Sequence, residues 1–529
     1  MREAAPPDYG SSKGEIMDRK PVVIGVGEAS ERIDAPGYSA LSPADLAGKA
    51  ALAALLDAGG PTPIASHIDV IATVRQFETS GPKVVAPFGR ADNFPRAVAR
   101  RIGAAPARAI LEPVGGQGPQ HLVNEFANAI GAGDAEMVLL AGAEAISTQR
   151  HLMSKGESRD WAEEIGGSIE DRGYGETLAG SELPRHGART PISLYALFEN
   201  ARRDRVGLSR EDYALEMGRL FAPFTRVAAQ NQHAMSRDVW SAEDLATIGP
   251  NNRMTSDPFP RRVVSRDQTN QGAAVLMTSA GKARELGIPE DRYVYLLGGA
   301  DVREKPPMER TDLSASPAAV MAVRQALDVA EAQLEDVDLF DFYSCFPIAV
   351  FNVRDGLGLP ADDPRPLTVT GGLPFFGGAG NNYSMHAIAA MTHRLRQQPT
   401  ATGLVAANGG FLSKYSVGIY SRAPRPWKGF DSTDLQAKID SWTAPQTATG
   451  DGAGTIETYT IDYSGSEPVG VVIGRLKAGG ARFAARTSPE TDRIARRMAA
   501  EEPLGGHVVV AVNAEGRSII QDFQPGRQP

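Results

Sequence analysis

The sequence predicts an α/β fold built from a duplicated unit, with a smaller β domain at the end. Its 529 residues are 42% hydrophobic, enough to bury a large core. Short apolar strands alternate with amphipathic helices, and one series of elements occurs twice, about 260–275 residues apart. Such units build sheets covered by helices on both faces, and two copies would stack with helices between the sheets.

The first copy is strand, helix, strand, glycine-rich loop, helix and strand. Apolar runs predict strands at 22–30, 68–75 and 135–145, a Ser-Pro start predicts a helix at 42–59, and a second helix follows the loop GGQGPQ at 115–120.

The second copy has the same order and the same kind of helix start. It predicts strands at 293–302, 337–346 and 402–410, a helix at 316–334 opened by Ser-Pro, and a further helix after the loop GGLPFFGGAGNN at 371–382. The matched starts and loops favour duplication over the alternation common to all α/β proteins.

We expect four regions along the chain. They are a disordered extension at 1–18, a first half at 19–290 with an inserted helical lobe at about 150–260, a second half at 291–423, and an additional β domain at 424–529.

Composition excludes several classes of protein. The formal charge of −9 and the lack of a basic stripe argue against nucleic-acid binding. The sequence has no apolar run long enough to span a membrane, so we expect a cytoplasmic protein. Its single cysteine, Cys345, cannot form an internal disulfide or a thiolate-rich metal site, and no histidine pair has metal-ligand spacing, so we expect no metal.

Residues 20–421 resemble the thiolase superfamily. The stretch GGQGPQHLVNEFANAIGAGDAEMVLLAGAEAIS (115–147) is similar to the segment in which the thiolase cysteine heads a buried helix. DFYSCF (341–346) is similar to the H-D-C-F motif of sterol-carrier-protein thiolases, TGGLPFFGGAG (370–380) to the segment containing G-H-P, and AANGG (406–410) to the C-x-G turn. The tail resembles OB-like domains that accompany such proteins. The resemblance implies a five-layer αβαβα core, coenzyme A as co-substrate or carrier with no tightly bound cofactor, a place in lipid metabolism and a homodimer.

The same resemblance implies that the usual catalytic groups are replaced. The acyl-accepting cysteine falls at Gly116, or at Gly115 in a shifted register, and the G-H-P histidine falls at Gly378. The C-x-G cysteine falls at Ala407 and the H-D-C-F histidine at Tyr343. Covalent acyl transfer needs a thiolate and a base, so the standard cycle is not expected.

Three side chains remain as candidate catalytic groups. Tyr343 is a candidate proton donor, Cys345 a nucleophile or a packed core residue, and His386 a base or a buried core histidine. The loops are candidate oxyanion or substrate sites, or tight turns where helices pack closely; their residues are Gly115, Gly116, Gly377, Gly378, Asn381, Asn382 and Asn408. The residues that flank these loops are candidate partners for a carbonyl or phosphate; they are Asn381, Asn382, Lys414 and Tyr415. The arginines of the insertion are candidates for the phosphates of coenzyme A.

Three functions stay open. The first is an acyl-CoA acyltransferase, similar to acetyl-CoA acetyltransferases, that makes or breaks a C–C bond beside the thioester without the usual cysteine. The second is a retro-aldolase acting on a β-hydroxyacyl-CoA, for which a tyrosine proton shuttle suffices. The third is a non-catalytic acyl-CoA-binding or assembly protein.

Overall fold

The computed structural model of the protein describes residues 18–60, 63–176 and 178–526, so the expected disordered extension lies, apart from residue 18, outside the described residues. The strands are β1 (Pro21–Ser30), β2 (Val70–Val74), β3 (Arg108–Glu112), β4 (Met137–Ala145), β5 (Glu170–Asp171), β6 (Met254–Ser256), β7 (Phe259–Pro260), β8 (Asn270–Ser279), β9 (Val294–Arg303), β10 (Leu339–Phe342), β11 (Thr402–Gly409), β12 (Lys414–Ser421), β13 (Gly452–Asp462), β14 (Val469–Leu476), β15 (Arg482–Arg486), β16 (His507–Val512) and β17 (Ser518–Gln524).

The α-helices of the described ranges are α1 (Pro43–Ala58), α2 (Phe94–Arg101), α3 (Gly118–Ala132), α4 (Ile146–Lys155), α5 (Glu182–Arg185), α6 (Pro191–Val206), α7 (Arg210–Gln230), α8 (Ala242–Ala246), α9 (Ala280–Glu285), α10 (Pro317–Val329), α11 (Pro347–Leu357), α12 (Tyr383–Gln397), α13 (Thr433–Asp440) and α14 (Asp492–Ala500).

The two halves form matching sheets. The first has the strand order β1-β8-β4-β2-β3 and the second β9-β12-β11-β10. In each, the first strand pairs with an antiparallel return strand, β8 or β12, and the remaining strands follow in the same sequence. The sheets join only where Val22 and Val23 of β1 meet Tyr295 and Val294 of β9. The structure thus confirms the duplication.

Helices lie in three layers around these sheets. α1 and α2 pack on the outer face of the first sheet, and α10 and α11 on the outer face of the second. Between the sheets, α3 contacts β4 and β12 while α12 contacts β8 and β11. Both central helices are lined by buried residues on more than one face, as expected for a layer covered on two sides. The core is therefore the predicted five-layer αβαβα arrangement.

The two Ser-Pro helix starts differ in their capping. Ser42 caps α1, because its hydroxyl accepts a hydrogen bond from the Asp45 amide and the Asp45 carboxylate accepts one from the Ser42 amide. Ser316 makes no side-chain cap on α10; its hydroxyl lies 2.6 Å from the Tyr415 hydroxyl of β12 instead. The shared start therefore positions both helices through different contacts.

The C-terminal β domain is a closed barrel in which β13, β14, β15, β17 and β16 follow one another and β16 returns to β13. Two strands of the insertion, β6 and β7, extend its sheet. Buried polar contacts fix the barrel to the core: Arg203 of α6 makes a bidentate ion pair with Glu502 at 2.8 Å, and Asn200 donates to the Tyr459 carbonyl at 3.0 Å. The segment before the barrel contributes α13, which packs on β9.

The outer edge of the first sheet is covered by the chain itself. β5, from the insertion, pairs with β3 in parallel through Ile110–Glu170 and Leu111–Asp171. Arg108 of β3 also makes a bidentate ion pair with Glu170, at 2.8 and 2.9 Å. The outer edge of β3 is thus occupied by β5. Across the described ranges, every helix is too short or too polar to pass through a bilayer.

Candidate active site

The glycine-rich loops of both halves meet at one cavity of about 790 Å³. The insertion closes it from the side of α6, and its walls are largely apolar where Ile192, Tyr195 and Phe346 contribute. Of the predicted site residues, those lining the cavity are Gly115, Gly116, Tyr343, Cys345, Gly378, Asn381, Asn408 and Lys414.

Gly116 and Tyr343 share one small volume at the head of α3. A Cβ atom placed on Gly116 would lie 2.1 Å from the Tyr343 hydroxyl oxygen and 2.7 Å from the Asn408 carbonyl oxygen. The phenol therefore occupies the space into which a cysteine at position 116 would project. A cysteine at this position would require the tyrosine to move.

The Tyr343 side chain lines this cavity, and its hydroxyl makes no hydrogen bond to any residue that the structure describes. Its ring packs edge-on against Tyr383, with centroids 5.4 Å apart, and the side chain is 9% exposed. Burial raises the pKa of Tyr343 well above its ordinary value, and the nearby Cys345 raises it further. The group is a neutral phenol at physiological pH, able to donate one proton and accept another.

Cys345 is a buried thiol beside two polar side chains. The Asn408 amide nitrogen lies 3.9 Å from its sulfur and donates to the Tyr195 hydroxyl at 3.0 Å. Burial raises the pKa of Cys345 to about 12, although hydrogen bonds from Tyr195 and Asn408 lower it in part. Cys345 therefore lines the cavity as a protonated thiol and not as a thiolate nucleophile.

The two loops are held together by side chains from the second half. Asn381 accepts a hydrogen bond from the Gly115 amide at 3.0 Å and donates to the Arg75 carbonyl at 2.7 Å. Ser384, at the start of α12, donates to the Gly116 carbonyl at 2.6 Å. A Cβ on Gly409 would lie only 3.1 Å from the Gly116 nitrogen, so the two glycine turns touch. Backbone N–H groups at such a junction can stabilise an oxyanion.

Two predicted loop residues lie behind the cavity wall. Asn382 donates to the Gly142 carbonyl at 2.7 Å, which fixes the loop to β4. Gly377 has a φ of +127°, and a Cβ there would lie 2.6 Å from the Gln271 side-chain oxygen. Neither residue lines the cavity; both position the loop that does.

His386 does not line the cavity. It is fully buried on α12, where its Nδ1 lies 2.6 Å from Glu28 of β1 and its ring packs on Phe376. Burial raises the pKa of Glu28, but the hydrogen bond and charge of His386 outweigh it and the pKa is lowered. The structure separates His386 from Tyr343 and Cys345, which corresponds to the core-histidine alternative.

A second cavity, of about 380 Å³, adjoins the first and was not located from the sequence. The two share Ile192, Val264, Ser265 and Asp267. Its lining includes Arg253, Arg261, Arg262 and Arg266. Arg262 stacks on Trp240, with its guanidinium carbon 3.8 Å from the ring centroid. In the described ranges, none of the four arginines has a carboxylate within 4.0 Å. Arg253 belongs to the insertion whose arginines are expected to bind phosphates, whereas Arg261, Arg262 and Arg266 follow its predicted end.

In the described ranges, His, Cys, Asp and Glu do not gather in any group of three that could hold a metal ion. Tyr195 and Ser384 are among the polar site residues that sequence reasoning missed. Tyr195 lies in the inserted lobe, and Ser384 precedes the apolar face of α12, so neither stands in a motif that indicates the site.

The comparisons with known proteins agree with this architecture. A family model for the additional C-terminal domain of thiolase-like protein type 1 matches residues 434–517. The chain is 43% identical to a crystal structure of a monomeric SCP2-thiolase like protein type 1 from Mycobacterium smegmatis, with a TM-score of 0.81 over 95% of this chain and 99% of the other. No curated protein sequence matches the chain.

More distant solved structures share the fold. The Ltp2-ChsH2(DUF35) aldolase is 19% identical with a TM-score of 0.57, over 77% of this chain and 98% of the other. Acetyl-CoA acetyltransferase from Syntrophomonas wolfei is 16% identical with a TM-score of 0.51, over 77% and 99%. With its duplicated core, its C-terminal barrel and 43% identity over nearly its whole length, the chain belongs to the thiolase-like proteins of type 1, in the thiolase superfamily.

Proposed function

We propose that this protein acts on an acyl-CoA by making or breaking a C–C bond beside the thioester without forming an acyl-enzyme. The observation that carries the proposal is the Tyr343 hydroxyl, which fills the volume of a cysteine side chain at position 116 and faces the cavity. With Cys345 protonated and His386 bonded to Glu28, the cavity has no thiolate–base pair among the described residues. This favours retro-aldol chemistry over acyl transfer.

The retro-aldol step balances with one tyrosine. The Cα–Cβ bond of a β-hydroxyacyl-CoA breaks, its electron pair goes to Cα, and the β-carbon becomes the carbonyl of an aldehyde or ketone. Tyr343 accepts the β-hydroxyl proton on its oxygen as its own proton passes to Cα, so the phenol ends neutral. N–H groups of the Gly116 and Gly409 turns would stabilise the charge on the thioester oxygen.

The arginine-lined cavity supports coenzyme A as the carrier. In the part of the chain that the structure describes, Arg253, Arg261 and Arg266 have no carboxylate within 4.0 Å. Burial together with the charges of Arg261 and Arg32 lowers the pKa of Arg266, and Asp238 opposes this shift. The same wall holds the carboxylates of Asp238 and Asp267, and Asp267 is paired with Arg150. Clustered guanidinium groups that form no ion pair are suited to phosphate. The shared wall at Val264 and Ser265 connects this cavity to the thioester site.

Two features of the structural relatives bear on the proposal. The Ltp2-ChsH2(DUF35) complex is described as an aldolase, and the Mycobacterium smegmatis protein is described as monomeric. We propose that this chain is likewise a monomer in place of the expected homodimer, because β5 already occupies the edge of β3.

The test is product analysis with a panel of 3-hydroxyacyl-CoAs. We expect a shorter acyl-CoA and an aldehyde or ketone in equal amounts, and Tyr343→Phe should lower the rate about 10²–10⁴-fold because it removes only the proton-carrying oxygen. Tyr463→Phe, at a half-buried tyrosine of the barrel, is the matched control.

The other outcomes separate the alternatives. CoA-dependent cleavage of 3-ketoacyl-CoAs that survives Tyr343→Phe would assign acyl transfer by a different group. Thermal stabilisation by acyl-CoAs without any turnover would leave the binding or assembly role. Absence of acyl-CoA binding would reject the proposal itself.

A further inference from the structure

Lys414 lies at the junction of the glycine loops. It is the first residue of β12 and pairs in register with Gly409 of β11. Its ammonium group donates a hydrogen bond to the Val114 carbonyl at 3.1 Å, just before Gly115. A Cβ on Gly175 would lie 3.2 Å from the Lys414 nitrogen, so the insertion closes over the ammonium group.

The charged residues of the cavity wall differ in whether they form an ion pair. Glu176, Asp267 and Lys414 are the residues of the wall that carry full charges. Glu176 is paired with Arg303 and Asp267 with Arg150, each at 2.5 Å. In the ranges that the structure describes, Lys414 has no carboxylate within 4.0 Å. The cavity therefore holds a half-buried ammonium group whose polar contact is a neutral carbonyl.

Such a group favours an anion on the ligand. Burial lowers the pKa of Lys414, while Glu176 and Glu112 favour its charged form from a distance and Arg303 opposes it. A carboxylate beside the ammonium would form a charge-assisted hydrogen bond in a site partly shielded from water. The phosphates of coenzyme A need not provide this anion, because the arginine-lined cavity lies behind a different wall, at Val264 and Ser265.

We propose that Lys414 binds a free carboxylate on the acyl group. The substrates are then short acyl-CoAs that have one carboxylate in addition to the thioester. The proposal rests on the proposed function of the cavity as an acyl-CoA site. Val114 and Gly409 place the ammonium group beside the glycine-rich loops, so the free carboxylate of the substrate lies a few carbons from the thioester. The apolar wall at Ile192 and Phe346 remains for the rest of the acyl group.

The test compares ligands of equal carbon number by isothermal titration calorimetry. Succinyl-CoA is paired with butyryl-CoA, and glutaryl-CoA with valeryl-CoA. In the wild-type protein we expect the carboxylated member of at least one pair to bind about tenfold or more tightly, as one charge-assisted hydrogen bond predicts. Lys414→Met and Lys414→Gln should reduce the ratio to about one, and Lys414→Arg should retain part of it.

Lys477→Met is the matched control, since Lys477 is exposed on the barrel and its loss changes the net charge equally. Unchanged affinity for butyryl-CoA shows that the Lys414 variants are folded. If neither neutral variant folds, the inference is tested by the affinity ratio within each ligand pair for the wild-type protein. Equal affinities within both wild-type pairs, or a preference that survives both neutral variants, would overturn the inference. Failure of all four thioesters to bind would instead reject the proposed function.

Discussion

Gly116 and Tyr343 have complementary sizes, and each constrains the other. The glycine leaves the space that the phenol fills, and the phenol leaves no room for a side chain at position 116. The single cysteine of the chain, Cys345, lies in the same wall but is protonated, because burial raises its pKa to about 12. Proton transfer without a thiolate is the chemistry that these residues can perform.

Gly116→Cys should lower the stability of the protein and fail to create an acyl-enzyme. Its Cβ would lie 2.1 Å from the Tyr343 oxygen, so the core must shift, at a cost of roughly 1–3 kcal/mol. The measurement is the free energy of unfolding in urea, with mass spectrometry after incubation with acetyl-CoA. Gly249→Cys is the control, since a Cβ there meets nothing within 4 Å. A variant as stable as this control, or one that becomes acetylated, would contradict the expectation.

The sequence locates the residues of the site better than their orientations. Motif positions bring Gly116, Tyr343, Cys345 and Asn408 to one cavity because the loops follow strand ends that the duplication places together. His386 follows the second loop closely but points to Glu28 on β1. The rotation of a central helix covered on both faces is set by packing, which its apolar pattern alone does not determine.

At the scale of elements, polar contacts connect the central helix of the first half to the sheet of the second. His121 on α3 lies 3.1 Å from the Asp301 carboxylate of β9, and Asn124 donates to the same carboxylate at 2.9 Å. Burial lowers the pKa of His121, but Asp301, Glu112 and Glu125 outweigh it and raise the pKa to about 9 from 6.5.

This raised pKa makes the contact sensitive to pH. The folded state holds the proton more tightly, so the contribution of His121 to stability is complete below pH 6.5 and disappears as pH rises through about 9. We expect His121→Gln to destabilise the protein more at about pH 6 than at about pH 9.5, as measured by urea unfolding. His507→Gln, at an exposed barrel position, serves as the control. An equal loss at both pH values would count against the assignment.

Strand pairing is the part of the fold that local patterns predict least. The expected unit has counterparts of β1, β2 and β4 in each half, whereas the return strands β8 and β12 were not assigned. β8 lies between β1 and β4, although it follows β4 by more than a hundred residues. An apolar run such as NQGAAVLMTS is compatible with a strand or a buried helix, and its partners across the sheet decide between them.

At the scale of the whole molecule, the insertion and the barrel make the two halves one unit. The insertion supplies β6 and β7 to the barrel sheet, β5 to the core sheet and α6 to the cavity wall. Arg203, fully buried, joins α6 to the barrel through Glu502. The barrel is therefore connected to the cavity wall through the lobe that contains α6.

The same insertion should keep the protein monomeric. An exposed edge strand invites pairing with a second copy, and β5 removes this possibility at β3 through two backbone pairs and the ion pairs Arg108–Glu170 and Arg75–Asp171. Light scattering after size-exclusion chromatography should give the mass of one 56.2 kDa chain at all concentrations.

Replacing both Glu170 and Asp171 by arginine tests this explanation, because it opposes Arg108 and Arg75 with like charges and detaches β5 from β3. We expect this variant to dimerise as its concentration rises, because the freed edge of β3 can then pair between copies. Glu335→Arg with Asp362→Arg makes the same charge change at exposed positions of the second half and should stay monomeric. A wild-type protein of twice the chain mass would contradict the monomer. If the variant with arginine at positions 170 and 171 stays monomeric, surfaces other than the edge of β3 prevent association.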